Sequence, residues 1–427
     1  MNDYLIENQT QLAKIQSQRQ SRVHQQFLQS RQTALREINN LLRLQTAVVA
    51  PAIARQLQRE QFMFIRPDLE EFSLGSLERV FGPEYAVFHG RQVPRIPNGD
   101  LLLFDRVLEI EGQRHQLNAP ARITTACDIP PDAWYLQHNA SPFVPLSVLM
   151  EMALQPCGFL SAWLGTALSA PDQDFLFRNL DGSATLLTDL DLRGQTVINH
   201  AGLHSTVSGA GTIIQSFSFC LSCNGIDFYR GESVFGYFPP TVMARQAGLD
   251  NQRAPVVIQD QDTLPRQNWD VQEKNKPHYR LSSGQLNFLD HIQVTEAGGT
   301  FGLGMVSAQK TVNPQDWFFD NHFYQDPVMP GSLGVEAIQQ ALQAYSLACG
   351  LGSGFMSPRF SLHSGSAMQW KYRGQITRSH QKMQIEVQIR NVQSAPGHTV
   401  VVADASLWAD SKRIYEIINI GMDIREG

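Results

Sequence analysis

The sequence predicts an α+β protein made of two tandem copies of one unit. Each copy is expected to be a curled antiparallel sheet around a single central helix, and a helical segment precedes both. Three observations predict this fold: an internal repeat, one long apolar helix in each copy, and several β-rich segments after each helix. The chain has 427 residues, of which 42% are hydrophobic and 17% charged, so it can form more than one hydrophobic core.

Residues 1–60 differ in composition from the rest of the chain. They are rich in Gln and Arg and contain no glycine. Apolar residues recur there mostly at three- and four-residue steps, which predicts an amphipathic helix; these are Val23, Phe27, Ala34, Ile38 and Leu41. We interpret this segment as an N-terminal leader or linker helix packed on its own domain. A partner helix or a membrane-binding face is the alternative.

An internal repeat decides the domain organisation. Residues 103–107 (LFDRV) resemble residues 288–292 (FLDHI), which aligns Asp105 with Asp290. The offset in residue number between these two aspartates also relates Pro142, Pro145, Glu151, Gln155 and Gly165 to Pro327, Pro330, Glu336, Gln340 and Gly350. A constant offset through so many residue types indicates a tandem duplication, with a first copy at 61–245 and a second at 246–427.

Each copy has the same order of predicted elements. A strand (101–110 or 286–294) and a second strand (118–127 or 301–311) precede an apolar helix that begins near Ser147 or Ser332 and ends at a glycine. The β-rich segments that follow are 184–195, 205–223 and 226–237, then 365–377, 382–393 and 397–408. A helix that is apolar all round must be buried, and here only a curled sheet can bury it. This layout is the hotdog fold, so the sequence predicts a double hotdog.

Charge and composition exclude several classes of protein. The net charge of −6 provides no basic field for nucleic acid, and no apolar run reaches the roughly 18–20 residues of a membrane span. The N-terminus does not read as a signal peptide, and five cysteines are no disulfide framework. We therefore predict a cytoplasmic protein that binds neither nucleic acid nor membrane. The isolated pair Cys220 and Cys223 is expected to pack in the core, with metal binding as the minor alternative.

The second copy carries the segment with the most chemical content, residues 316–336. An imidazole in a loop, here His322, can move a proton near neutral pH. Gly331 opens a helix whose free N–H groups suit a developing oxyanion. Glu336 follows with Gln340 one turn on, and burial would raise the pKa of this carboxyl and make it a proton donor.

This segment resembles the β-hydroxyacyl-(acyl carrier protein) dehydratases, the β-hydroxydecanoyl dehydratase/isomerase type in particular. The resemblance rests on Trp317-Phe318-Phe319, on His322-Phe323 and on the run from Asp326 to Gly331. The tandem arrangement, in which the first copy matches the family motif less well than the second, resembles the dehydratase region of bacterial polyunsaturated fatty acid synthases. That likeness implies that the chain is a piece of a larger multidomain protein, with a homodimer as a further option.

The resemblance also implies a mechanism. His322 would remove the α-proton of a 3-hydroxyacyl thioester carried on the phosphopantetheine arm of an acyl carrier protein, and an acid from the other hotdog would protonate the departing hydroxyl. The backbone N–H of Gly331 would bind the thioester carbonyl, and the acyl chain would lie in an apolar tunnel between the hotdogs. The product would be a trans-2-enoyl thioester. Such a reaction implies neither a metal nor a diffusible cofactor.

The sequence departs from the family pattern at several positions. Glu336 stands where the isomerase type has Asp, so double-bond isomerisation is left open. In the first copy Leu146 replaces the oxyanion glycine, and Pro156 is expected to distort the central helix. The step from His138 to Pro145 is one residue shorter than the step from His322 to Pro330, so the base of this copy is doubtful.

This asymmetry predicts one working site across the two copies. It would combine His322 with Glu151 of the first copy, and Gln155 would orient the carboxyl. The other pairing, His138 with Glu336, would be a relic. Two other functions remain open: a hotdog acyl thioesterase, and a non-catalytic scaffold module of a megasynthase. An acidic carrier protein would also need a local basic patch at the tunnel mouth.

Overall fold

The computed structural model describes residues 33, 36–37, 57–250, 253–254, 264–265 and 276–427. It divides into two units, Met1–Gln61 and Phe62–Gly427. Most of the predicted leader at 1–60 lies outside the described residues; its described positions are helical. The predicted boundary between copies at 245/246 stays a prediction.

The helices of the second unit differ in length. They are α1 (Arg66–Leu74), α2 (Leu77–Phe81), α3 (Trp134–His138), α4 (Leu146–Trp163), α5 (Pro240–Met243), α6 (Phe318–Asn321) and α7 (Gly331–Ala348). The two long helices, α4 and α7, have 18 residues each and lie where the repeat predicts them.

The strands carry most of the remaining chain. In the first half they are β1 (Phe64–Ile65), β2 (Arg106–Glu111), β3 (Ala121–Asp128), β4 (Leu176–Leu186), β5 (Thr196–Gly209), β6 (Thr212–Cys223) and β7 (Ile226–Phe238). In the second half they are β8 (Leu264–Pro265), β9 (His291–Thr295), β10 (Met305–Thr311), β11 (Pro358–Leu362), β12 (Ala367–Tyr372), β13 (Lys382–Ala395), β14 (His398–Ala409) and β15 (Lys412–Glu426).

The strands of both halves form one continuous antiparallel sheet among the described residues. The hydrogen-bonded order is β1-β2-β3-β5-β6-β7-β4-β12-β15-β14-β13-β10-β9-β8, with β11 paired to β15. The order in the second half is the reverse of that in the first, and the halves join where β4 pairs antiparallel with β12. The predicted double hotdog is therefore confirmed, and the two hotdogs share a sheet.

Each long helix is the core of its own half. Helix α4 packs on β3, β5 and β6, while α7 packs on β9, β10, β13, β14 and β15. Every residue of α7 from Ser332 to Ser346 is buried, as the all-round apolar pattern predicts. The two helices also contact each other. Residues near their N-termini can therefore meet across the two copies.

Pro156 does not interrupt α4, contrary to the expected distortion. The helix runs without a break from Leu146 to Trp163. A proline has no N–H to donate to the carbonyl four residues earlier, here that of Met152. Asn199 Nδ2 of β5 donates to that carbonyl at 3.0 Å and to Ala153 O at 3.1 Å. The neighbouring strand thus satisfies the acceptor that the proline leaves free.

The predicted strands differ from the observed ones in several places. The strands predicted at 101–110 and 286–294 begin five residues later, at Arg106 and His291, and β11 was not predicted. The segment 205–223 forms two strands, β5 and β6, joined by a tight turn. The segment 184–195 is mostly a loop, because β4 ends at Leu186. The last strand, β15, was not predicted, although it pairs with both β14 and β12.

Two buried glutamines tie the central helices to the first strand region in the same way. Gln155 Nε2 donates to Leu101 O at 2.7 Å, and its Oε1 accepts from Leu103 N at 3.0 Å. Gln340 repeats this contact on Leu286 O and Phe288 N, the latter at 3.2 Å. The repeat offset therefore holds for the side-chain contacts as well as for the sequence.

We expect Gln340→Ala to lower the free energy of unfolding by about 2–4 kcal/mol, because Leu286 O and Phe288 N would be left buried and unpaired. Gln343→Ala on the same helix is the matched control: among the described residues its buried Oε1 has no hydrogen-bond partner. Urea denaturation of the three proteins measures the difference. Equal losses for both variants would contradict this account.

Candidate active site

His322 follows α6 and is buried, with 8% of its surface exposed. Its Nδ1 lies 3.0 Å from Val328 O, and a carbonyl can only accept a hydrogen bond. Nδ1 therefore carries the proton of the neutral ring, and the lone pair of Nε2 is left for another partner. Burial lowers the pKa of His322 to about 3, and the positive charge of Arg178 acts in the same direction. The imidazole is consequently an unprotonated base near neutral pH.

The loop after His322 leads directly into the N-terminus of α7. Pro330 is the residue before the helix, and Gly331 is its first residue. A Cβ on Gly331 would lie 2.7 Å from the Tyr372 ring, so only glycine fits there. The first N–H groups of a helix have no intrahelical acceptor, and the helix dipole favours negative charge at this end. The position suits a developing oxyanion.

Glu151 projects from α4 of the first half and is also 8% exposed. Ser332 Oγ donates to its Oε1 at 2.6 Å, and Gln155 Nε2 donates to its Oε2 at 2.9 Å. Burial raises the pKa of Glu151, and these two hydrogen bonds offset part of that rise. The carboxyl therefore keeps its proton at a higher pH than an exposed glutamate does.

One cavity brings these groups together. His322, Gly331 and Ser332 from the second half line it, as do Glu151 and Gln155 from the first. Apolar and aromatic side chains make up much of the remaining wall: Met150, Leu154, Phe177, Phe235, Val328, Met329, Tyr372 and Tyr415. A base, a carboxyl whose pKa is raised and a helix N-terminus thus face one largely apolar space. This is the combination of residues that the cross-copy pairing predicts.

Glu336 lies elsewhere, and its carboxyl is held by other side chains. Ser147 Oγ donates to it at 2.9 Å, Gln340 Nε2 at 3.3 Å and Ser282 Oγ at 3.4 Å. Burial raises the pKa of Glu336 too. Glu336 is not among the residues that line the cavity of His322. The contact from Ser147 mirrors the one from Ser332 to Glu151, so each central helix holds the acid of the other.

His138 is not the structural counterpart of His322, although the motif spacing suggests it. Ser283 N donates to His138 O at 2.8 Å, and the residue equivalent to Ser283, Asn98, donates through its N–H to Asn321 O at 2.9 Å. His138 thus corresponds to Asn321. Its Nδ1 accepts from Gln285 N at 3.3 Å, outside the cavity of His322.

Asn139 occupies the position that corresponds to His322. Asn139 Nδ2 donates to Phe143 O at 2.8 Å, and Phe143 is equivalent to Val328, the partner of His322. From Asn139 to Pro145 the loop is therefore two residues shorter than its counterpart, not one. An amide cannot act as a general base at neutral pH. The first half has no imidazole where the second half places its base.

Three further residues of the site were missed by the sequence reasoning. Ser332 could have been found, because the repeat offset relates it to Ser147. Asp326 was noted only as the first residue of the motif that ends at Gly331, but it forms an ion pair with Arg178 at 2.6 Å. The sequence contains no sign of this pair, because Arg178 belongs to the other copy, 148 residues before Asp326, and lies ahead of the β-rich segment predicted at 184–195.

The structure also bears on metal binding and membrane insertion. Within the described ranges, no group of three or more His, Cys, Asp or Glu side chains is arranged to hold a metal ion. Cys220 and Cys223 lie on β6, where Cys223 is buried, as expected for a packing residue, and Cys220 is only half-buried. Among the described helices, none is both long and apolar enough to cross a membrane.

Two solved structures that were compared with this chain have low sequence identity to it. A protein described as an oleoyl thioesterase from Lactobacillus plantarum has 10% identity and a TM-score of 0.42, over 74% of this chain and 99% of that one. The dehydratase domain of the CurJ module of curacin polyketide synthase has 9% identity and a TM-score of 0.42, over 75% and 96%. At these values neither similarity bears on the activity of this chain.

Sequence relatives are more informative. The chain is 35% identical over 389 residues to a protein of Thraustochytrium sp. that is described as part of a polyunsaturated fatty acid synthase. The match covers 84% of this chain but 26% of the relative, so the chain spans about a quarter of that relative's length. Residues 281–418, which include His322 and Gly331, match the model of the FabA-like domain. The match to the FabA-like domain therefore lies in the second half of the chain and includes the motif at 317–331.

Proposed function

We propose that this chain eliminates water from 3-hydroxyacyl thioesters to give trans-2-enoyl thioesters, as a 3-hydroxyacyl-(acyl carrier protein) dehydratase. The observation that carries the proposal is the cavity in which a neutral imidazole, a carboxyl whose pKa is raised by burial and a helix N-terminus face the same largely apolar space. Elimination next to a carbonyl needs a base, an acid and stabilisation of the enolate. Each of these requirements has one matching group in the cavity.

The proposed reaction moves two protons. His322 Nε2 takes the proton from C2 of the substrate, and the backbone N–H groups at Gly331 stabilise the negative charge that develops on the thioester oxygen. The C2=C3 double bond forms as the C3–O bond breaks, and Glu151 gives its proton to the departing hydroxyl, which leaves as water. The site then holds an imidazolium and a carboxylate. A proton must pass from His322 to Glu151 before the next turnover.

The supporting residues fit the same scheme. Gln155 and Ser332 hold the two oxygens of Glu151 and so fix the direction in which the acid points. The aromatic and aliphatic wall excludes water and suits an acyl chain. We propose that the substrate arrives on the phosphopantetheine arm of an acyl carrier protein, within a multidomain synthase like the relative. The reaction as proposed uses no metal and no diffusible cofactor.

Product analysis tests this proposal. The chain is mixed with a 3-hydroxyacyl N-acetylcysteamine thioester, and the mixture is analysed for enoyl thioester, free acid and 3-enoyl isomer. The proposal predicts loss of water with the thioester intact. Release of free acid would support the thioesterase alternative instead, and absence of any product would support the scaffold alternative. Formation of a 3-enoyl product in addition would extend the proposal to isomerisation.

The pH dependence of turnover follows from the two shifted groups. Activity requires neutral His322, whose pKa is about 3, and protonated Glu151, whose pKa is raised. We therefore expect kcat/KM to stay level as the pH falls through 6.5, the ordinary pKa of histidine, and to decline as the pH rises through the raised pKa of Glu151. A decline of kcat/KM near pH 6.5 on the acid side would contradict a buried, neutral base.

A further inference from the structure

The loop that carries His322, residues 322–330, has few internal hydrogen bonds. Phe323 and Asp326 exchange backbone hydrogen bonds at 3.1 and 3.2 Å, and Val328 N donates to His322 O at 2.8 Å. Gln325 at the tip has a φ of +64°, in the left-handed region. His322 Nδ1 is also bound to Val328 O at 3.0 Å, so the ring is held relative to its own loop. The position of the loop relative to the first half depends on contacts from outside the loop.

Two of those outside contacts come from the first half of the chain. Gln92 Nε2 donates to Gln325 O at 2.9 Å. Arg178 on β4 donates from Nη1 and Nη2 to the two carboxylate oxygens of Asp326, at 2.6 and 2.8 Å. Arg178 Nη1 also donates to Phe177 O at 2.8 Å, which fixes the guanidinium to its own strand.

The ion pair is shielded from solvent. The side chain of Arg178 is 10% exposed and that of Asp326 is 17% exposed. A bidentate pair in such an environment is stronger and more directional than a surface pair. Arg178 also lines the cavity of His322, so one partner of the pair belongs to the wall of the site.

The corresponding loop of the first half, residues 139–145, has no counterpart of this pair. It contains neither Asp nor Glu, so it offers no carboxylate to an arginine. An arginine of the second half, Arg359 on β11, contacts this loop through the face of the Phe143 ring, 5.5 Å from the ring centre. The ion pair is therefore present beside the loop that holds an imidazole and missing beside the loop that holds Asn139.

We propose that Arg178 is a positioning residue for the proposed dehydration: its ion pair with Asp326 fixes the loop 322–330 so that His322 Nε2 faces the substrate. Arg178 itself transfers no proton. The first half of the chain then supplies both the acid, Glu151, and the residue that orients the base of the second half. This inference rests on the proposed function, and its test includes a readout that needs no turnover.

The test compares Arg178→Met, Asp326→Asn and the double variant in the full chain. The substrate is a 3-hydroxyacyl N-acetylcysteamine thioester, which lacks the phosphate of the carrier arm. Arg106→Met is the matched control, because Arg106 forms a bidentate pair with Asp128 at 2.6 and 3.0 Å that lies outside the cavity. We expect each single variant to lose about 10- to 100-fold in kcat with KM unchanged, since a base displaced by about 1 Å costs that much.

Three further comparisons separate positioning from a general loss of structure. The double variant should lose no more activity than either single one, because both substitutions break the same pair. Arg178→Lys should recover part of kcat, since it keeps the charge but not the planar fork. Arg178→Met should also shift the acid limb of the pH profile upward, because the charge of Arg178 lowers the pKa of His322.

Backbone hydrogen exchange supplies the readout without substrate. Residues 322–330 should exchange faster in Arg178→Met and in Asp326→Asn than in Arg106→Met. If Arg178→Met fails to fold, both kcat and hydrogen exchange are measured on Asp326→Asn instead. Rates and exchange equal to those of the control would overturn the inference, as would a change in KM alone, which indicates substrate binding. A wild-type chain without dehydration would contradict the proposed function, while exchange would still decide the role of the pair.

Discussion

Replacing His322 by alanine is expected to lower kcat for dehydration about 10²- to 10⁴-fold, the usual contribution of a general base. Its buried Nε2 has a free lone pair because Nδ1 is bound to Val328 O. Alanine removes this base and leaves the helix N-terminus and Glu151 in the cavity. The measurement is the steady-state formation of enoyl thioester, with folding checked by circular dichroism.

His138→Ala is the control for this variant. His138 lies outside the cavity, and its ring accepts a hydrogen bond from Gln285 N. Its replacement should leave the rate of dehydration unchanged. A loss of rate in His138→Ala comparable with that in His322→Ala would mean that the first half supplies a base as well.

Replacing Glu151 by glutamine is the second large effect, again about 10²- to 10⁴-fold in kcat. The amide has nearly the same shape as the carboxyl and can still accept a hydrogen bond from Ser332 Oγ. It has no acidic proton to give to the departing hydroxyl. The variant should therefore bind substrate with a similar KM and turn it over slowly. A large rise in KM with unchanged kcat would point to a binding role for Glu151.

The outline of the fold was accessible from the sequence because its signals are local or periodic. The central helices were predicted within one or two residues, since an apolar run that ends at a glycine depends on neighbouring residues only. Pro156 was wrongly expected to distort its helix. The donor that satisfies the free carbonyl of Met152 is Asn199, which lies on a strand distant in sequence.

The site was predictable in part. His322, Gly331, Glu151 and Gln155 line one cavity as the repeat and the motif predict. The alignment of His138 with His322 between the two copies was wrong. Motif spacing does not show where a loop has lost residues, whereas hydrogen-bond partners do. These partners are fixed by the packing of the two halves on each other, which a single sequence does not contain.

The ion pair of Arg178 with Asp326 is a second contact between the two halves that the sequence did not predict. Each residue by itself looks ordinary: an arginine in a strand and an aspartate before a proline. Only the antiparallel joining of β4 to β12 brings the first half beside the loop of the second. Contacts between repeats depend on this assembly, so sequence patterns within each repeat do not reveal them.

The central claim is that one site forms across the two halves, with the base from one and the acid from the other. The most direct test compares Glu151→Gln with Glu336→Gln at equal protein concentration and confirmed folding. Both carboxyls are buried on equivalent helices and both accept a serine hydrogen bond, so the two substitutions are closely matched. The account predicts that Glu151→Gln loses nearly all dehydration and that Glu336→Gln retains it. Loss of activity in Glu336→Gln with activity kept in Glu151→Gln would contradict the account.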